Sequence, residues 1–112
     1  VRDVREFVEE LETLPDAFFC VNDLLAVILS SMLIKKGVSI PEDISIIGFD
    51  DTRLTEYNIP PLTMVCLYRE HYAKRAVDQL FCRMEYREKP FETIRINTKL
   101  VIRNSVGSVK HS

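Results

Sequence analysis

The sequence predicts an α/β fold in which a parallel sheet is flanked by helices. Three observations carry that prediction: short apolar runs at 17–21, 44–49 and 62–67, helical periodicity before and between them, and polar residues closing the first two runs. Strand, helix, strand order over the first half needs a crossover, and crossovers join parallel strands.

Val1, Val4, Phe7, Val8, Leu11 and Leu14 recur at helical spacing, so the chain is expected to open in an amphipathic helix ended by Pro15-Asp16. The run 17–21 reads as a strand buried on both faces. Asn22 or Asp23 can cap the helix that follows. That helix should run to about Lys36, with Gly37 as its stop. Pro41-Glu42-Asp43 turns the chain into a second buried strand ending in Asp50-Asp51, and an irregular stretch leads to Pro60-Pro61. After the strand at 62–67, residues 69–84 form a helix with Tyr72, Ala73, Ala76, Val77, Leu80, Phe81 and Met84 on one stripe. Glu88-Lys89-Pro90 is a turn. Ile94, Ile96, Thr98, Leu100 and Ile102 then alternate with polar residues, as in a strand with one wetter face.

At 112 residues the chain is one domain at most. Its 46% apolar and 29% charged residues place it in the soluble globular class. The net charge of −2 is spread without a basic stripe, so this segment alone is not expected to bind a phosphate backbone. Cys20, Cys66 and Cys82 lack metal-ligand spacing and are odd in number, which points to packing in a reducing cytoplasm rather than to a disulfide framework. No apolar run is long enough for a membrane span and no secretory leader is visible. The chain starts in mid-pattern without Met and is expected to be a piece of something longer.

Ligand sites of parallel sheets lie outside the carboxyl ends of the strands, where Asn22-Asp23 and Asp50-Asp51 fall. Asn22 offers a donor and an acceptor, and Asp50 offers two acceptor oxygens that could hold adjacent hydroxyls, a set suited to a sugar-like polyol. The plainer alternative is that Asn22 caps a helix and Asp50 stabilises a turn. Asp23 and Asp51 read as cap and turn residues. No nucleophile–base pair, Gly-rich phosphate loop or metal cluster is visible, and His71 and His111 are remote in sequence, so neither catalysis nor a cofactor is expected.

The segment Pro15-Asp16-Ala17 through Asn22-Asp23 resembles the "PDAxxxxND" motif of lactose/galactose-type repressors. The stretch Val38-Ser39-Ile40-Pro41-Glu42-Asp43-Ile44 through Asp50-Asp51 resembles their "VPEDISVIGFDD". Pro60-Pro61-Leu62-Thr63 and Leu100-Val101-Ile102-Arg103-Asn104-Ser105 resemble "PPLT" and "LVxRxS". One such motif is weak; four in order and at fitting spacing are specific. The resemblance implies a periplasmic-binding-protein-like (type I) domain of two lobes, of which residues 1–112 would be an incomplete C-terminal part. Residues 1 to about 67 and 97–107 would belong to the C-terminal lobe, and 68–96 to a portion of the N-terminal lobe.

The resemblance also implies that Asn22 and Asp50 hydrogen-bond an effector, a sugar or sugar derivative, in the cleft between lobes. Arg69 falls at a cleft-edge position that some members fill with an aromatic ring; an Arg there would favour an anionic group, the alternative being a helix-start Arg that faces water. Nine of the eleven residues from 24 to 34 are apolar, so that helix is greasy nearly all round. Leu25, Ile28, Leu29, Met32 and Leu33 form one face for the core. Leu24, Val27, Ser31 and Ile34 form a second, which together with Tyr57, Asn58 and Ile59 matches the family's homodimer surface. DNA would be bound only through a helix-turn-helix outside this chain. A sugar-binding protein of a transport or chemoreceptor system with the same fold is the alternative, distinguished by lacking the dimer face.

Overall fold

The computed structural model describes residues 3–109. Its elements are α1 (Val4–Glu9), β1 (Ala17–Phe19), α2 (Asp23–Lys35), β2 (Ser45–Asp50), α3 (Arg53–Tyr57), β3 (Thr63–Cys66), α4 (Arg69–Glu85) and β4 (Lys99–Val101). One sheet of order β1-β2-β3-β4 holds all the strands. β1, β2 and β3 run parallel, and β4 pairs antiparallel with β3.

Local chemistry explains most element ends. The Asn22 side chain accepts a hydrogen bond from the Leu25 amide (2.8 Å) and so caps α2. At the other end Gly37 takes φ +89°, and the amides of Gly37 and Val38 donate to the carbonyls of Ile34 and Leu33. That left-handed turn suits a residue without a Cβ. α1 is shorter than its apolar spacing predicts. It stops at Glu9, and Lys36 Nζ reaches across from the end of α2 to donate to the carbonyls of Val8 and Leu11. The expected helical position at Val1 lies outside the described residues.

The core lies between α2 and one face of the sheet, where Ala26, Leu29 and Leu33 meet Ile44, Ile46, Leu62 and Met64. Here the predicted core face of α2 needs correction. Ala26, Leu29, Ser30 and Leu33 are buried, Leu25 and Met32 are half-buried, and Ile28 is exposed. The cause is a close approach at Gly48. A Cβ on that residue would lie 3.1 Å from the Ala26 Cβ and 2.8 Å from Met64 Cε. The helix therefore sets Ala26 against Gly48 with Leu29 and Leu33 still buried beside it, and Ile28 swings outward.

Three other expectations are revised. β1 is an edge strand, with Phe19 60% exposed, and so is not buried on both faces. The stretch before β3 contains α3, which five residues are too few to announce by periodicity. The alternating pattern from Ile94 to Ile102 yields only the three residues of β4, because no other part of it runs beside a strand.

No residue of α4 is buried, and its apolar stripe, including Tyr72, Val77, Leu80, Phe81 and Met84, lies open. The segment after it folds back along the helix. Arg83 stands over the Phe91 ring (4.6 Å) and donates to the Lys89 carbonyl, while the Tyr72 hydroxyl meets the Ile96 carbonyl. Among the described residues, no helix is long and apolar enough to cross a membrane.

Candidate functional site

β1 and β2 are hydrogen-bonded neighbours running parallel, so their carboxyl ends emerge side by side. β1 delivers Asn22-Asp23 and β2 delivers Asp50-Asp51, and the two ends are tied directly: Asp23 Oδ2 accepts from the Thr52 amide at 3.0 Å. Asp23 Oδ1 also accepts from the Leu24 amide (2.7 Å). Asp23 is therefore a buried strut between strand ends.

Asp50 and Asp51 both have positive φ, 101° and 63°. An L-residue pays about 1–2 kcal/mol for left-handed backbone, and such residues concentrate where a side chain must be aimed. The two carboxylates go to different partners. Asp50, partly exposed, faces Arg69 at the first turn of α4, with Nη2 to Oδ2 at 3.7 Å. Asp51 is held by Arg103 in a two-pronged pair, Nη1 to Oδ1 at 2.7 Å and Nη2 to Oδ2 at 3.2 Å, and it also accepts from the Thr55 hydroxyl at 2.9 Å. A third bond from Arg103 Nη1 reaches the Leu62 carbonyl (2.7 Å).

The electrostatics follow from these partners. Burial opposes ionisation of Asp51, but the Arg103 and Thr55 hydrogen bonds and the Arg103 charge outweigh it and hold the carboxyl below its ordinary range. Asp23 behaves alike: burial opposes the charge, yet bonds from Thr52 and the Leu24 amide, with the Arg69 charge nearby, lower it. Cys66, on β3 beside this cluster, is pushed up by burial and by the Asp51 charge.

Of the sequence-predicted ligand residues, Asp50 and Arg69 are thus brought together and Asn22 lies on the neighbouring strand end. The capping role foreseen for Asn22 is occupied: its carbonyl oxygen is used by α2, and its amide makes no hydrogen bond among the described residues. The mouth beside Asp51 is a cleft of about 400 Å³ lined by Leu67, Tyr68, Arg69, Glu70 and His71. Its lining brings His71 to the site, although its sequence position had set it apart; His111 lies outside the described residues. Among the described residues, no group of three or more His, Cys, Asp or Glu is placed to hold a metal ion.

The predicted second face of α2 is mixed. Leu24 and Ile34 are exposed (55% and 43%), and Val27 and Ser31 are half-buried. Exposed Leu54, Tyr57 and Ile59 of the α3 region add to the open apolar residues here, and α3 packs against α2. Asn58 turns inward, donating to Ser30 Oγ (3.1 Å) and to the Pro60 carbonyl (2.8 Å), while Ile59 beside it stands 84% exposed.

Sequence reasoning missed Arg103 as a partner of Asp51, and it missed Ser105. The latter is fully buried, accepts from the Thr63 amide and donates to the Ile46 carbonyl, joining the starts of β2 and β3. Both residues sit in the Leu100–Ser105 motif, whose polar positions were the available signal.

The chain matches the model of the periplasmic binding protein-like domain over residues 1–106. It is 37% identical over 99 residues to the HTH-type transcriptional repressor PurR of Mannheimia succiniciproducens, and 40% identical over 97 residues to that of Pasteurella multocida. These alignments cover 88% and 87% of the chain but 30% and 29% of the repressors, so the chain spans under a third of their length. Among solved structures, a LacI family transcriptional regulator from Enterococcus faecium with bound ribose superposes with a TM-score of 0.88 at 32% identity, covering 96% of this chain and 40% of that one. The lac repressor dimer bound to operator and the anti-inducer ONPF shares the fold, with a TM-score of 0.82 at 24% identity, covering 92% and 35%.

Proposed function

Because the chain belongs to the periplasmic binding protein-like domain family and its homologues are LacI-type transcriptional regulators, we propose that it is part of the effector-sensing domain of a transcription repressor. Its effector is a sugar or sugar derivative bound at the carboxyl ends of β1 and β2. Asp50 accepts hydrogen bonds from effector hydroxyls, the Asn22 amide donates, and Arg69 closes the site from the start of α4, favouring a ligand with an anionic group.

The observation that carries this reading is the pairing of Asp50 with Arg69 across the exit from the sheet. A carboxylate in strained left-handed backbone, more than a quarter exposed, faces a guanidinium 3.7 Å away on a helix outside the packed body. Residues 1–67 and 97–107 would form one lobe and 68–96 a portion of the other, so an effector lodged between Asp50 and Arg69 would bias how the lobes sit. Such a bias requires differential affinity for the two arrangements. DNA would be reached through a helix-turn-helix belonging to the rest of the protein.

The open apolar residues Leu24, Ile34 and Ile59 support homodimerisation through α2 and the α3 loop, with Val27 and Ser31 at the edge of the contact and Asn58 shaping the loop. This face favours a regulator over a transport or chemoreceptor sugar-binding protein of the same fold. The test is titration of the intact protein with neutral sugars and sugar phosphates. Binding that weakens at least tenfold in Asp50→Ala and Asn22→Ala supports the assignment; unchanged affinity in both refutes it.

A further inference from the structure

Asp50 holds a backbone conformation that L-residues avoid, and nothing in its own side-chain pairing explains why the turn keeps it. Its carboxylate meets a half-exposed Arg69, a weak restraint. Its carbonyl accepts from the Leu67 amide at a long 3.4 Å, and the tighter restraints lie on its neighbours. Asp51 receives both prongs of Arg103 and the Thr55 hydroxyl, and its side chain is only 10% exposed. Thr52 is fixed through its amide to Asp23 on the adjoining strand end. Arg103 is itself anchored to four partners: its side chain bonds Asp51, the Leu62 carbonyl and, at 3.4 Å, Thr55 Oγ1, and its amide donates to Thr63 Oγ1 (3.0 Å). A guanidinium fork suits a carboxylate in a way a lysine ammonium cannot reproduce, because two parallel bonds fix orientation as well as distance.

We infer that Arg103 is a positioning residue of the effector site: it clamps Asp51 and so holds the left-handed turn that presents Asp50 to the ligand. This inference rests on the proposed role of Asp50. It assigns to a residue 52 positions along the chain, in the strand-exit segment just after β4, control over a site it does not itself enter. A purely structural pair would stabilise the fold as a whole; a clamp acts first on residues 50–53.

The experiment compares the intact protein with Arg103→Lys, Arg103→Gln and Asp51→Asn by amide hydrogen exchange and by D-ribose titration. The clamp predicts exchange in residues 50–53 at least tenfold faster in Arg103→Gln and Asp51→Asn, with residues 46–48 of β2 unchanged. Arg103→Lys, which keeps the charge and loses the fork, should fold and still show the local opening. Exchange that stays at wild-type rates in 50–53 in Arg103→Lys and Asp51→Asn, or that rises equally throughout β2, overturns the inference. The ribose arm separates the two readings. If wild-type protein binds ribose, the variants should lose at least tenfold in affinity, and unaltered affinity beside local opening overturns the positioning role. If wild-type protein ignores ribose and also the neutral sugars and sugar phosphates of the titration above, the proposed effector class fails, while the exchange result still decides the clamp.

Discussion

Ser105→Ala removes a single oxygen, and the structure makes its cost calculable. Ser105 and Ile46 are fully buried and Thr63 is 3% exposed, so none of the three has ready access to water. The Ser105 hydroxyl is the acceptor for the Thr63 amide at 2.8 Å and the donor to the Ile46 carbonyl. Alanine keeps the backbone bond from the Ile46 amide to the Ser105 carbonyl but leaves the Thr63 N–H without its partner. A buried donor left unpaired costs about 1–3 kcal/mol, and the lost bond to Ile46 adds about 1 kcal/mol. The sum is about 2–4 kcal/mol. With a urea m-value of about 2 kcal/mol/M, the midpoint of equilibrium unfolding should fall by about 1–2 M. A loss below about 0.5 kcal/mol would refute the reasoning, since it would mean that Thr63 finds another acceptor at no cost.

Gly48→Ala should destabilise by about 1–3 kcal/mol in the same assay, because the new methyl crowds Ala26 and the Met64 side chain; a neutral result would mean that Met64 swings aside and α2 shifts by a few tenths of an ångström at little cost. Cys20, buried and with its thiol pushed up to about 11, should resist iodoacetamide at pH 8 until the protein unfolds, as peptide mass spectrometry would record. Asp51 is depressed in the folded state relative to its unfolded value of about 3.9. Its contribution is therefore full above that value and lost as pH falls through the lower folded value. Asp51→Asn should accordingly lower stability at pH 7 and flatten its decline below about pH 4, checked by thermal melts across pH; a parallel decline in both proteins would contradict this.

What was legible in the sequence was local. α2 announces its cap at Asn22 and its stop at Gly37, and the strand ends at Asn22-Asp23 and Asp50-Asp51 fall side by side as parallel pairing requires. What was not legible depended on partners distant in the chain. The rotation of α2 follows from the close approach of Ala26 to Gly48, and apolar periodicity weights Ile28 above Ala26 whatever lies opposite. The split of the two carboxylates needs Arg103, which the adjacent letters Asp50-Asp51 cannot announce. Alternation from Ile94 to Ile102 describes what each residue prefers, yet a strand exists only where a neighbouring strand supplies the hydrogen bonds, here at Lys99–Val101.

Operator-DNA binding by the intact protein, measured with and without a sugar-type effector in wild type and in Asp50→Ala, tests the sensing role at its source. The expected result is a wild-type DNA affinity that changes at least tenfold with effector, beside an Asp50→Ala protein that binds DNA equally well and ignores the effector. An Asp50→Ala protein that responds to effector as the wild type does would contradict the placement of the site at the end of β2.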